Sequence, residues 1–201
     1  MKDTSRQKTD RDAILDATDR LLARNGYKKM TIDDLANEVG IGKGSVYLFF
    51  ESKEEIALSH IDRIITRLGT KLRNIAARPG PADKRLRQML IERVLYRFDS
   101  VQHYSQSLNE LLGQLRPRLL DRRRRYFEAE AKVFADVVRQ GTADGSFETK
   151  DPDLTAGSLL EATNALLPYS LSALELCERK DVEKKAKLVV DLLLNGLRAR
   201  N

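Results

Sequence analysis

Residues Gly40–Phe50, GIGKGSVYLFF, decide how the rest of the chain is read. Three glycines fall within five residues, with Lys43 among them, and aliphatic and aromatic residues follow. A loop that wraps the phosphates of a nucleotide has this composition, and so does a tight turn that launches a helix. A phosphate loop needs a glycine five residues before its Gly-Lys pair and a hydroxyl directly after it, to wrap phosphate in amides and hold magnesium. Asn37 and Gly44 occupy those two positions. A dinucleotide fingerprint would need glycine at Ser45 and a strand upstream; upstream lies the amphipathic IDDLANEV. The turn reading fits. A small residue, Ala36, lets two helices approach, Gly40 four residues later takes the left-handed corner, and Ile41 and Val46 lock the second helix.

Helical punctuation continues on both sides. Thr9 to Asp12, Thr31 to Asp34 and Ser52 to Glu55 each carry the hydroxyl-x-x-carboxylate form of an N-terminal cap. Ile14, Leu15, Leu21 and Leu22 recur at helical spacing before Asn25-Gly26 stops the first helix. A second helix ends at Gly40, a third spans about Lys43 to Phe49, and a long fourth carries Ile56, Ile61, Ile64, Leu68, Leu72 and Ile75 to Pro79-Gly80-Pro81. Further helices are expected over about Asp83–Asp99, Ser105–Leu115, Pro117–Gln140, Asp153–Glu178 with a bend at Pro168, and Lys180–Arg198. The expected fold is therefore all-α with about nine helices. A three-helix head over residues 1–53 precedes a helical body over residues 54–201.

Composition agrees and excludes several classes. Of 201 residues, 33% are charged and 41% hydrophobic, with few Gly and Pro, as a helical chain requires. A single cysteine, Cys177, forms no internal disulfide and starts no zinc site, and no apolar run is long enough to span a membrane, so a cytoplasmic location is expected. Two histidines, and no nucleophile beside a base, offer no catalytic constellation; no enzyme activity, metal or cofactor is expected. The net charge of +6 does not mark the head: residues 1–60 hold ten Lys and Arg against eleven Asp and Glu. The run Arg116, Arg118 and Arg122–Arg125 reads first as a solvated helix face, with contact to DNA or an anionic ligand as the alternative.

The stretch Thr31–Ile56, TIDDLANEVGIGKGSVYLFFESKEEI, resembles the DNA-binding signature of the tetracycline-repressor (TetR) family of bacterial transcription regulators. The likeness covers Ile14 to about Ala57, including the Tyr47-x-x-Phe50-x-Ser52-Lys53 ending. It implies a homodimer joined through the last two helices, a palindromic double-stranded operator, and repression relieved by a small-molecule effector. It also implies DNA contacts at Thr31, Gly42, Lys43, Gly44, Ser45, Tyr47, Leu48 and Lys53. Two positions depart from the pattern. Gly42 stands where a capping hydroxyl is common, and Leu48, where a polar or aromatic residue is frequent, can touch only a thymine methyl.

Polar residues set into apolar helices are the candidates for an effector pocket, because buried polar groups need partners. These are His60, Tyr96, His103, Tyr104, Asn109, Glu161, Asn164 and Tyr169. The competing reading is a helical protein-interaction module without DNA affinity.

Overall fold

The computed structural model describes residues 2–168 and 178–198, with side chains described outside residues 2–9 and 104–109. Eight α-helices stand among the described residues: α1 (Lys2–Lys29), α2 (Ile32–Val39), α3 (Lys43–Tyr47), α4 (Lys53–Ala76), α5 (Ala82–Val101), α6 (Ser105–Ala143), α7 (Pro152–Asn164) and α8 (Arg179–Leu197). A 3-10 turn at Gln102–Tyr104 precedes α6, and the described extended pairing is a single bridge between Phe147 and Arg198.

The two helices expected over Ser105–Leu115 and Pro117–Gln140 are one, because α6 runs unbroken through Pro117. Proline lacks an N–H and crowds the carbonyl four residues back, which here belongs to Gly113. Both residues are exposed, so water can take that carbonyl, while Leu111 and Leu115 on the opposite face are 1% exposed and anchor the helix. The helix expected to reach Glu178 ends instead at Asn164, with Leu166 and Leu167 already in the following turn. Tyr169, Leu171, Leu174 and Cys177 lie outside the described residues.

The chain divides into two compact units, each discontinuous in sequence: Met1–Ile64 with His103–Leu119, and Ile65–Gln102 with Leu120–Asn201. In the first, Ile14, Leu15, Leu21 and Leu22 of α1, Leu35 of α2, Val46 of α3 and Ile56 and Leu58 of α4 are fully or almost fully buried. Charged groups fix the helix angles around this core. Arg20 and Arg24, one turn apart on α1, both donate to Glu38 of α2 at 2.9 Å. That pair of guanidinium groups, Arg20 first, holds the Glu38 carboxyl below its usual range. On α4, Arg63 pairs with Asp16 at 2.7 Å and donates to the Asp12 carbonyl, and His60 lies 3.4 Å from Asp19.

α1 does not run straight to its end. Gly26 adopts φ 75 and ψ 166, the predicted stop, and one further turn follows to Lys29.

The second unit builds its core from Leu86, Met89 and Leu90 of α5, Phe134, Val137 and Val138 of α6, Leu159 and Leu160 of α7, and Val190 and Leu194 of α8. The loop after α6 folds back on it. The Phe147 amide donates to the Gly141 carbonyl at 2.9 Å, and its ring lies where a Gly141 side chain would be. Beside this core Arg93 is 1% exposed. It donates to Glu130 at 2.8 Å, Thr163 at 3.0 Å and the Asn164 side chain at 2.8 Å, while Arg97 donates to the same Glu130 carboxylate.

Candidate nucleic-acid interface and effector cleft

The α2–turn–α3 corner is assembled from local rules. Thr31 caps α2 reciprocally: its hydroxyl accepts the Asp34 amide at 3.1 Å, and the Asp34 carboxylate accepts the Thr31 amide at 2.9 Å. At the other end Gly40 is left-handed (φ 76, ψ 34). The Gly40 amide reaches the Asn37 carbonyl and the Ile41 amide reaches the Ala36 carbonyl, the paired bonds that close a helix before a sharp change of direction. Five residues of α3 follow, with Val46 at 0% and Phe50 at 2% exposure turned into the core.

The opposite face of α3 is open. Gly42, Lys43, Gly44, Tyr47 and Leu48 are exposed, Leu48 at 83%, and Ser45 is half-buried. Gly42 has ordinary extended backbone and gives α3 no side-chain cap. Nothing lies within 4 Å of a side chain added at Gly44.

Several donors of this face already have internal acceptors. Lys43 Nζ donates to Asp33 at 2.7 Å, and that carboxylate pushes the lysine pKa up. The Thr31 hydroxyl donates to Asp34 at 2.8 Å while its amide serves the cap. Lys53 Nζ sits 4.6 Å from the centre of the Tyr27 ring and donates to the Tyr27 carbonyl at 3.2 Å. An anion that meets these groups must compete with two carboxylates and a carbonyl.

The eight effector candidates separate. His60 is buried beside Asp19 within the first unit, where it supports helix packing. Tyr96 packs against the core of the second unit with Lys71 5.0 Å from its ring centre, and His103 is exposed in the 3-10 turn. The side chains of Tyr104 and Asn109, and all of Tyr169, fall outside the described residues. Glu161 and Asn164 come together, lining a shallow cleft of about 360 Å³ with Leu120, Arg123, Arg124 and Phe127.

Sequence reasoning set the arginine run aside as a solvated face, yet two of its members line this cleft. It missed the buried Arg93–Glu130–Arg97 cluster altogether. A signal existed: Leu86, Leu90, Arg93 and Arg97 share the spacing of one helix face, so both arginines occupy core positions of α5. Among the described residues no group of His, Cys, Asp and Glu could hold a metal ion, and no helix is long and apolar enough to cross a membrane.

Comparison with known proteins places this geometry. Residues 14–59 match the sequence model of bacterial regulatory proteins of the tetR family, and residues 79–167 match that of a tetracyclin repressor-like C-terminal domain. The Bacillus subtilis regulator YerO is 38% identical over 65 residues, 32% of this chain and 22% of its own length. The regulator EthR of Mycobacterium tuberculosis is 33% identical over 72 residues, 36% of this chain and 33% of its own. The chain thus spans a third or less of these relatives. A longer match joins it to the transcriptional repressor KstR2 of Mycolicibacterium smegmatis, 28% identical over 148 residues, 72% of this chain and 69% of the other. Among solved structures, a transcriptional regulator from Cytophaga hutchinsonii superposes over 94% of this chain and 98% of its own, with 20% identity and a TM-score of 0.76. A TetR regulator from Haloarcula marismortui does so over 96% and 100%, with 20% identity and a TM-score of 0.77. With a helix-turn-helix built as its signature requires and family matches over residues 14–59 and 79–167, the chain belongs to the TetR family of bacterial regulatory proteins.

Proposed function

We propose that the protein is a homodimeric transcriptional repressor that leaves a palindromic operator when a small molecule binds its helical body. The exposed face of α3 carries this reading: Lys43, Ser45 and Tyr47 are presented outward on a helix anchored from behind by Val46 and Phe50. Phosphate contacts come from Thr31, Lys43, Ser45, Tyr47 and Lys53, while Gly42, Gly44 and Leu48 face the groove. Residues 1–53 serve as the DNA-binding part and 54–201 as the effector and dimer part.

The cleft of Leu120, Arg123, Arg124, Phe127, Glu161 and Asn164 is the effector site, and Asn164, bonded to Arg93, links it to the buried charge cluster. Dimerisation uses the outward leucines of the last two helices, Leu154 at 68%, Leu188 at 62% and Leu192 at 65% exposure. Helix α4 contributes residues to both units. A ligand that favours one tilt of it alters the spacing of the two recognition helices, which a two-fold operator fixes at about 34–36 Å or a multiple.

The test is selection of bound fragments from random genomic DNA at moderate salt, followed by titration of the recovered sequence. One palindrome, and a steep loss of affinity with salt, are expected. Lys43→Ala should weaken binding to all sequences and reduce the logarithmic salt slope by about one. Recovery of no discrete palindrome, or unchanged binding in Lys43→Ala and Tyr47→Phe, would return the chain to the class of interaction modules.

A further inference from the structure

Among the described residues Leu48 is the most exposed of the large hydrophobic side chains, at 83%, while Val46 and Phe50, two residues to either side, are 0% and 2% exposed. A single exposed leucine is ordinary; its neighbours make this one informative. Leu48 keeps helical backbone (φ −68, ψ −23) as the residue that closes α3, so helical spacing extends through it. Residues four apart then stand one above the other, which divides the open face of α3 into two rows.

One row is Lys43 and Tyr47, both exposed and four residues apart. The other row is Gly44 and Leu48. It has no polar side-chain atom, and the space over Gly44 is empty, with nothing within 4 Å of where a side chain would begin. The result is an apolar step: a leucine standing beside a bare backbone, with a phosphate-seeking lysine and tyrosine alongside.

The major groove presents one apolar group to such a step, the 5-methyl of thymine; the other base edges there are hydrogen-bond donors and acceptors that a leucine would leave unsatisfied. We propose that Leu48, one turn on from the bare Gly44 position, receives a thymine methyl in each half-site and is the specificity-determining residue for that base pair. The inference rests on the DNA-binding reading above and adds which chemical group the α3 face selects.

Deoxyuridine separates the two. It has the hydrogen-bonding edge of thymine without the methyl, so replacing each thymine of the selected operator in turn by deoxyuridine removes one methyl at a time. Wild-type protein should lose about four-fold in affinity at one thymine per half-site, the factor expected for one buried methyl group. Leu48→Ala should bind thymine and deoxyuridine operators equally at that position, with an unchanged salt slope. Leu48→Asn should keep the slope and shift preference away from thymine. Because Leu48 is exposed, both variants should melt with the wild type, which circular dichroism verifies. If no thymine position responds in the wild type, or if the response survives in Leu48→Ala, the proposal fails while DNA binding stands. If no operator can be selected at all, the DNA-binding reading fails and this one with it.

Discussion

At the residue scale, the open face of α3 is restrained by the acidic first turn of α2. Asp33 holds Lys43 at 2.7 Å, on the surface, where such a pair is weak and readily exchanged. In the proposed complex it would place a negative charge beside the phosphate that Lys43 meets. Asp33→Asn should therefore raise operator affinity a few-fold at low salt and steepen its salt dependence, measured by fluorescence anisotropy. Unchanged affinity would mean that Asp33 neither restrains Lys43 nor repels the DNA backbone. Tyr27 supports a second prediction. Its ring is fully buried beneath Lys53, its hydroxyl has no hydrogen-bond partner, and burial pushes its pKa up to about 12. An unpartnered buried hydroxyl opposes folding, so Tyr27→Phe should be neutral or stabilising at pH 7. The folded phenol keeps its proton at a pH where the unfolded one, near 10, has lost it. This part of the stability is complete below pH 10 and is lost as pH rises toward 12. Thermal melts between pH 9 and 12 should decline less steeply in Tyr27→Phe than in the wild type.

At the scale of elements, local signals were legible and distant ones were not. The Thr31–Asp34 cap and the Gly40 corner depend on groups three to five residues apart, and the sequence prints both partners side by side. Pro117 misled because a proline weakens a helix without forbidding it when it faces water and the opposite face, here Leu111 and Leu115, is buried. The Asp33–Lys43 pair spans ten residues and the Arg93–Glu130 pair thirty-seven; no periodicity names the partner in either. The outward leucines show the same limit. Leu159, Leu160 and Leu167 look available for a dimer face by composition, but they are spent on the subunit's own core at 5%, 0% and 0% exposure. The helix expected to end at Gln140 continues past Gly141 to Ala143. The role of Gly141 is close approach: a side chain there would collide with the Phe147 ring and come within 3.1 Å of Ala82. Gly141→Ala should destabilise the protein by about 1–3 kcal/mol, the usual range for overpacking. A denaturant midpoint equal to the wild type would show that the Phe147 loop yields freely.

For the whole molecule, operator recognition by a dimer multiplies the contributions of two heads, so what joins the subunits matters as much as what touches DNA. Leu188 and Leu192 stand one turn apart on the exposed side of α8, and Leu154 is exposed on α7. Charged residues at two of these positions should divide the dimer without unfolding the subunit. The double variant Leu188→Glu, Leu192→Glu is expected to sediment as a monomer, keep its helical circular dichroism, and lose palindrome affinity while a single half-site is bound as weakly as before. A dimer persisting in that variant would move the interface elsewhere.

The division of each unit into two stretches of chain also sets the order in which the protein can be made. Synthesis runs from the amino end, and domains generally fold as they emerge. The first unit, however, includes His103–Leu119 as well as Met1–Ile64. Its helices can form early, while the stretch that completes the unit emerges only after all of α5 is outside. A nascent chain arrested near residue 80 should thus be cut in α1–α4 by protease more readily than the finished protein, and equal resistance would show that the head closes without His103–Leu119.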